Sequence, residues 1–182
     1  MSEVLVTILD ILKYILPAII VLIATTLIVK KFLVAETEKK HLALYGQKVG
    51  ETFKLRMQAY ERLTHYMERI HPNALIGRHY MKGASAQDIQ LSMVKNIREE
   101  YEHNLSQQLY VSNEVWQTVK SAKEQEISMI NNIGTQMAQD ATASEFVQRV
   151  SEFTLDKTTE VPSDIALFII NKEAKQVLLA QE

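Results

Sequence analysis

The most continuous hydrophobic stretch of the chain lies close to its N-terminus. It reads YILPAIIVLIATTLIV from Tyr14 onward and contains no ionisable side chain other than that weakly acidic tyrosine. With Ile11 and Leu12 ahead of it, and with Lys13 able to extend its amine toward lipid headgroups, the stretch approaches the roughly 20 residues that cross about 30 Å of hydrocarbon. The pattern predicts a transmembrane anchor over residues 1–31 and favours it over a buried core helix.

The charges on either side of this stretch predict its orientation. Glu3 and Asp10 outnumber Lys13 ahead of the apolar run, whereas Lys30 and Lys31 follow it directly. The positive-inside rule therefore predicts a single-pass topology with the N-terminus outside and the C-terminal part in the cytoplasm. Because the N-terminal flank is acidic and the core is long, a retained anchor is favoured over a cleaved signal peptide.

A long helical pattern follows the anchor and predicts a stalk over residues 32–71. It meets no strong stop before Pro72, and because a residue preceding proline avoids the α region, the helix should end near Ile70. Gly46 and Gly50 are its weak points, since each costs about 1 kcal/mol relative to alanine in a helix interior. They predict a local bend or break, with close approach of a neighbouring helix as the alternative.

The second half of the stalk carries apolar residues at a/d heptad spacing, which we call the interaction seam. Two good heptads fall short of the three to four that indicate a true coiled coil, so the seam is either one side of a helical bundle, which is favoured, or a contact between copies. Arg56 falls at a d position, where a charge is unfavourable unless it is paired or lies at an edge. The seam comprises Val49, Phe53, Tyr60, Leu63, Met67 and Ile70.

Beyond the stalk, residues 72–182 predict a helical soluble domain that packs with it. The segment HPNALIGRHYMKGAS is the best candidate for an internal loop because it contains one proline and two glycines. Ser85 begins a predicted helix that runs to about Gln108, and Ser112 begins another. Thr142 opens a third with a capping-box pattern.

The last segment begins at Pro162 and contains the β-branched run IALFII. Its capping residues, and the lack of a partner strand elsewhere, favour a helix over a strand. The complete pattern predicts an all-α protein with one N-terminal transmembrane helix, a long helical stalk and a small helical bundle.

Composition narrows the functional classes. With no cysteine in the chain, disulfides, thiolate metal sites and a cysteine nucleophile are excluded. Five glycines and three prolines among 182 residues disfavour a many-stranded sandwich or barrel. A formal net charge of -2 gives no general case for nucleic-acid binding, so we expect no nucleic-acid partner.

Two Glu-x-x-His pairs, Glu68 with His71 and Glu100 with His103, have the spacing that di-iron bundles use. Glu68 neighbours the seam residue Met67, and Glu100 neighbours Tyr101 on the apolar face of its own predicted helix, so solvated charges are the favoured explanation. The chain has no G-x-S-x-G, no glycine-rich phosphate loop and no H-E-x-x-H. We therefore expect no catalytic residue, no metal site and no cofactor. The remaining histidines, which are most simply surface residues, are His41, His65 and His79.

The block LRMQAYERLTHYMERIHPNALIGR, residues 55–78, resembles a family of small uncharacterised single-span membrane proteins of Bacteroidota. The block follows an N-terminal span, and the resemblance covers about an eighth of the chain in detail. It implies a protein of the bacterial inner membrane and carries no activity. The positions that support it are Gln58, Ala59, Tyr60, Glu61, Arg62, Leu63, Glu68, Arg69, Ile70, Pro72, Leu75 and Arg78.

Three functional hypotheses follow. The first is a membrane-anchored adaptor or scaffold that binds itself or another membrane or cytoplasmic protein, without catalytic activity and as a homo-oligomer. The second is an accessory subunit of a larger cell-envelope complex, in which the span packs against other spans. The third, which rests only on the two Glu-x-x-His pairs, is a metal-dependent bundle enzyme.

Overall fold

The computed structural model describes residues 3–156 and 160–179, and it is 88% helical with no strand in those ranges. The all-α prediction is therefore confirmed. A short 3-10 helix, Leu105–Leu109, connects the third and fourth helices. The helices of the described residues are α1 (Glu3–Ile70), α2 (Pro72–His79), α3 (Ala86–His103), α4 (Asn113–Thr135), α5 (Ala143–Leu155) and α6 (Pro162–Leu179).

Helix α1 is a single helix of 68 residues that contains the predicted anchor and stalk. It ends at Ile70, as the position of Pro72 predicts. The helix is not broken at Gly46 or Gly50, and a Cβ at either glycine would meet no described atom within 4 Å. The chain divides into two compact units, of which the first ends at Thr52.

The predicted loop after α1 is wrong for its first half, because residues 72–79 form helix α2. Pro72 occupies the first helical position, where its fixed φ suits a helix and its missing N–H costs nothing. The Nδ1 atom of His71 accepts a hydrogen bond from the backbone N–H of Asn73 at 3.3 Å. Leu75 is fully buried. Gly83, with φ of 88°, provides the left-handed turn that leads to α3.

Helices α3 and α5 begin side by side, and each begins with a complete capping box. Ser85 and Asp88 cap α3, while Thr142 and Glu145 cap α5, as the sequence predicts. The Ala86 N–H donates to the carbonyl of residue 141 at 2.9 Å, and the N–H of residue 143 donates to the carbonyl of residue 84 at 3.0 Å. These two backbone bonds tie the helix starts together.

Helix α3 is shorter than predicted, because it ends at His103 rather than near Gln108. The side-chain amide of Asn104 donates to the Glu100 carbonyl at 2.8 Å, which satisfies one of the carbonyls left free at the helix end. The chain then tightens into the 3-10 helix. The final segment is helix α6, so the preference for helix over strand is confirmed.

The second unit, from Phe53 onward, contains one hydrophobic core to which every helix contributes. An aromatic group links α1, α3 and α4: the Tyr101 ring lies 5.6 Å from Trp116 and 6.2 Å from Tyr66. The Lys123 ammonium lies 4.3 Å from the centre of the Tyr101 ring. Fully buried apolar side chains include Leu63, Met67, Ile70, Leu75, Ile89, Met93, Ile97, Val119, Ile130, Phe146, Val150 and Ile170.

Candidate membrane anchor, interaction surface and buried polar groups

The N-terminal part of α1 presents an apolar surface that is exposed among residues 3–156 and 160–179. Its large apolar side chains, from Ile11 to Val34, are between 48% and 79% exposed. The segment is long and apolar enough to cross a membrane, and none of it is buried against other described residues. The apolar side chains point in all directions around the helix, as expected for a helix surrounded by lipid.

Two threonines are the polar exceptions within this surface. The Thr25 hydroxyl donates to the Val21 carbonyl at 2.7 Å, and the Thr26 hydroxyl donates to the Leu22 carbonyl at 2.5 Å. Because both hydroxyls bond within the helix, they do not require water or a second protein in an apolar environment. The threonines are therefore compatible with a spanning helix.

The next part of α1, residues 35–52, is also largely uncovered. Leu42, Tyr45 and Val49 are 72%, 71% and 41% exposed, and they follow one another at spacings of three and four residues. Such spacing places them on one face of the helix. This apolar face, which we call the stalk face, meets the interaction seam of the sequence analysis at Val49.

The structure separates the predicted seam into exposed and buried parts. Val49 is exposed and Phe53 is half-buried. Tyr60, Leu63, Met67 and Ile70 are at most 3% exposed and belong to the core of this same chain. The side chains from Tyr60 onward therefore serve as one side of a helical bundle.

Arg56, the charge at a d position of the seam, is paired. Its Nε donates to the Tyr110 carbonyl at 3.2 Å, and its Nη2 donates to the Tyr60 hydroxyl at 3.1 Å. The Tyr60 hydroxyl in turn donates to Oε1 of Glu173 at 2.5 Å. The Ser112 N–H donates to the same oxygen at 3.1 Å, and the Ser112 hydroxyl donates to Oε2. This network joins α1 and α6 to the start of α4.

The network holds Glu173 as a carboxylate. Burial raises the pKa of Glu173, but the hydrogen bonds from Ser112 and Tyr60 outweigh it, and the pKa lies below its usual range. Burial and the hydrogen bond to Glu173 raise the pKa of Tyr60. The Ser112 hydroxyl also accepts from the Val115 N–H at 3.1 Å, so the α4 cap is itself fixed by α6.

Two arginines converge on Glu100, one of the candidate metal ligands. Arg69 donates from Nε to Glu100 Oε1 at 2.7 Å, and Nη1 of Arg78 lies 3.8 Å from the same oxygen. Burial, followed by the positive charge of Arg69, lowers the pKa of Arg78. Glu100 therefore serves as an ion-pair partner at the point where α1, α2 and α3 meet.

The other candidate ligands are separate from it. Glu68 and His103 are exposed, and His71 caps α2 with its Nε2 3.8 Å from Oδ1 of Asp164. Within residues 3–156 and 160–179, no group of three or more histidines and acids has a geometry that could hold a metal ion.

The surface prediction for the remaining histidines is wrong for His79. His41 and His65 are exposed, but His79 is half-buried, with its Nδ1 2.7 Å from the Ser92 hydroxyl. Burial lowers the pKa of His79.

Sequence reasoning missed Glu126, a charged residue in the core. Glu126 is 0% exposed, and its Oε1 accepts a hydrogen bond from the Ser163 N–H at 3.1 Å. The signal was present in the pattern, since Glu126 lies four residues after Ala122 and four before Ile130 on the apolar face of α4. A polar residue at a core position of an otherwise regular face indicates a specific buried role.

Comparisons with known proteins place the chain in a family without assigning an activity. No curated protein and no solved structure matches the chain. A family model does match, and it covers residues 6–177, which include almost all of α1 and of the bundle. The chain therefore belongs to the family of unknown function DUF7935.

Proposed function

We propose that this protein is a membrane-anchored helical adaptor or scaffold of the bacterial inner membrane, with a cytoplasmic bundle that binds proteins and has no catalytic activity. The observation that carries the proposal is the uncovered apolar surface between Ile11 and Val34. Soluble monomers rarely expose contiguous apolar patches larger than a few hundred Å². A lipid bilayer is the environment that covers such a surface on all sides.

The orientation follows from the lysines at the end of the apolar segment. Lys30 and Lys31 favour the cytoplasmic side, and the bundle follows them in the chain. A reporter that works only in the cytoplasm, fused after Glu182, should be active, and one that works only in the periplasm should be silent. The opposite pair of results would reverse the topology.

The polar clusters of the bundle support a binding role over a catalytic one. Glu173 is occupied by Ser112 and Tyr60, and Glu100 is occupied by Arg69 and Arg78. These acids connect helices through charge-assisted hydrogen bonds, which are among the stronger hydrogen bonds in proteins. Their carboxylates are committed to holding the bundle together rather than presented to a substrate.

The proposed partner of the stalk face is a second copy of the chain. Anchoring confines copies to two dimensions with parallel orientation, which raises the effective concentration of identical faces. Leu42, Tyr45 and Val49 give that face apolar side chains at the spacing that helix pairs use. Contacts too weak to hold copies together in solution are sufficient under these conditions.

Cysteine crosslinking in membranes tests this association, and the chain has no native cysteine to interfere. Leu42→Cys, on the stalk face, should give a disulfide-linked dimer under mild oxidation. Leu44→Cys is the matched control, because Leu44 is also exposed, at 56%, but lies about 200° around the helix. Equal crosslinking at both positions, or none at Leu42→Cys, would contradict a parallel contact through the stalk face.

Affinity purification from gently solubilised membranes distinguishes the adaptor from the accessory-subunit hypothesis. If the protein is an adaptor, its partners should co-purify with it. Substitutions of residues on the bundle surface should then abolish that co-purification. A single stoichiometric membrane complex that survives those changes would favour an accessory subunit whose span makes the contacts.

A further inference from the structure

The buried carboxyl group of Glu126 occupies a position that usually belongs to a helix cap. Helix α6 begins at Pro162, and the residue before it, Val161, has no side-chain oxygen with which to accept from the first turn. Glu126 on α4 supplies the missing acceptor, because its Oε1 receives the Ser163 N–H at 3.1 Å. One of the free N–H groups at the start of α6 is thus satisfied by a different helix.

The surroundings of Glu126 are short of hydrogen-bond partners. Within the described residues, Oε2 of Glu126 is buried without a partner, and so are the Ser163 hydroxyl oxygen and the Tyr66 hydroxyl oxygen. A carboxylate needs several donors to replace its hydration, whereas a protonated carboxyl is neutral and itself provides one donor. The geometry therefore suits the protonated form better.

Burial is the largest influence on the titration of this group. It raises the pKa of Glu126 to about 7, whereas the Ser163 hydroxyl, which is close to the carboxyl group without completing a hydrogen bond, and the Ser163 backbone N–H both lower it. The start of α6 also favours an anion, but a single backbone hydrogen bond only partly compensates for the lost water.

We propose that Glu126 is a proton-binding latch, which holds the first turn of α6 on α4 when protonated and releases that turn when it ionises. On ionisation, the buried carboxylate regains water when the first turn of α6, whose Ser163 N–H it binds, moves away from it. The rest of α6 remains docked through Ala166 and Ile170, which are fully buried, and through Glu173. The opening is therefore local to the start of the helix.

Other titratable groups also influence the start of α6. Asp164 on α6 acts on Glu126 through like charge and favours its protonated form, and Tyr66 on α1 interacts with Glu126 electrostatically. His71, at the start of α2, lies 3.8 Å from Asp164 and attracts it only when protonated. A pH response could therefore come from His71 and Asp164 rather than from Glu126, and variants separate the two.

The test is hydrogen–deuterium exchange of the purified full chain in detergent at pH 6 and pH 8.5, corrected for intrinsic exchange. Protection of the first turn of α6 should fall by about tenfold or more at the higher pH, the effect of at least one unit of pKa difference. Glu126→Gln should keep its protection at both values, because glutamine is neutral and retains an acceptor for Ser163. In Asp164→Asn, which removes the ion pair with His71, protection of the first turn of α6 should still fall at the higher pH.

A direct titration by carboxyl carbon NMR completes the test, and it does not depend on any variant folding. The Glu126 midpoint should lie well above that of the exposed glutamates. An ordinary midpoint, a pH response that persists in Glu126→Gln, or a response that disappears in Asp164→Asn would each overturn the latch.

Discussion

At the scale of single residues, the bundle contains two kinds of buried polar group, and they should respond differently to pH and to substitution. Glu173 has three donors and stays ionised, whereas Glu126 has one backbone donor and an unpartnered oxygen. The difference is one of partners rather than of residue type. Glu173 therefore stabilises the fold at neutral pH, whereas ionisation of Glu126 lowers the free energy of unfolding.

The first prediction concerns the free energy of unfolding and Glu126. The pKa of Glu126 is raised from 4.5 in the unfolded chain to about 7 in the fold. The free energy of unfolding should therefore be highest below about pH 4.5 and should fall as pH rises through 7. The loss should reach up to about 3 kcal/mol, at 1.36 kcal/mol per pKa unit. Local opening of the start of α6 would limit this loss of stability.

Denaturant titrations of the full chain at pH 5 and pH 8 measure this loss, with Glu126→Gln as the reference. The variant should lack the part of the pH dependence that belongs to Glu126, and should be more stable than the parent at pH 8. If parent and variant lose stability in parallel between these pH values, Glu126 does not titrate in the fold.

The second prediction compares two buried tyrosines. Tyr60→Phe removes a hydrogen bond to a carboxylate and leaves Arg56 without that acceptor, so it should cost about 1.5–3 kcal/mol near neutral pH. Tyr66→Phe is the matched control, because the Tyr66 hydroxyl is buried without a partner in the described residues and its removal should be neutral or stabilising.

The pKa of Glu173 adds a pH signature to this comparison. Since that pKa is lowered in the fold, the stability it contributes is present above the unfolded value and is lost as pH falls through the folded value. The cost of Tyr60→Phe should therefore shrink in strongly acidic solution. Equal costs for the two tyrosine variants, measured by denaturant titration, would show that the network does not stabilise the fold.

At the scale of elements, local signals fix where helices begin, while tertiary contacts decide which short segments become helical. The caps at Ser85, Ser112 and Thr142 and the stop before Pro72 were readable because each acts within four residues. The local sequence of helix α2 predicts a loop instead. With eight residues, the helix depends on the burial of Leu75 more than on propensity.

The same distinction explains which parts of the candidate sites could be anticipated. The apolar segment is a continuous run and the a/d seam is a periodic pattern, so the positions of both are predictable from the sequence. The pairing of Arg56 with Tyr110, of Glu173 with Ser112 and of Glu126 with Ser163 joins residues 37 to 61 positions apart. No periodicity encodes which polar side chains meet across that distance.

The third prediction tests the capping box at the start of α5. Thr142→Ala removes the side-chain acceptor for the Glu145 N–H and should cost about 1 kcal/mol of unfolding free energy. Ser144→Ala, two residues away at an exposed position without a capping role, should change stability by less than about 0.5 kcal/mol. Thermal or denaturant unfolding measures both, and equal effects would remove the capping box as a source of stability.

At the scale of the whole molecule, the chain joins an exposed apolar segment to a bundle that has its own core. The bundle contains a continuous group of buried side chains, so its folding has a source of stability within the unit from Phe53 onward. No other residue that the structure describes covers the apolar segment between Ile11 and Val34. The proposed function therefore depends on membrane insertion.

Alkaline carbonate extraction of membranes from cells that produce the full chain tests this claim most directly. The parent protein should remain in the membrane pellet, as an integral protein does. Ile20→Arg, near the middle of the span, should weaken insertion by about 2.5–3.5 kcal/mol and move part of the protein to the soluble fraction, whereas Ile20→Leu should not. Release of the parent protein into the supernatant would contradict the membrane anchor.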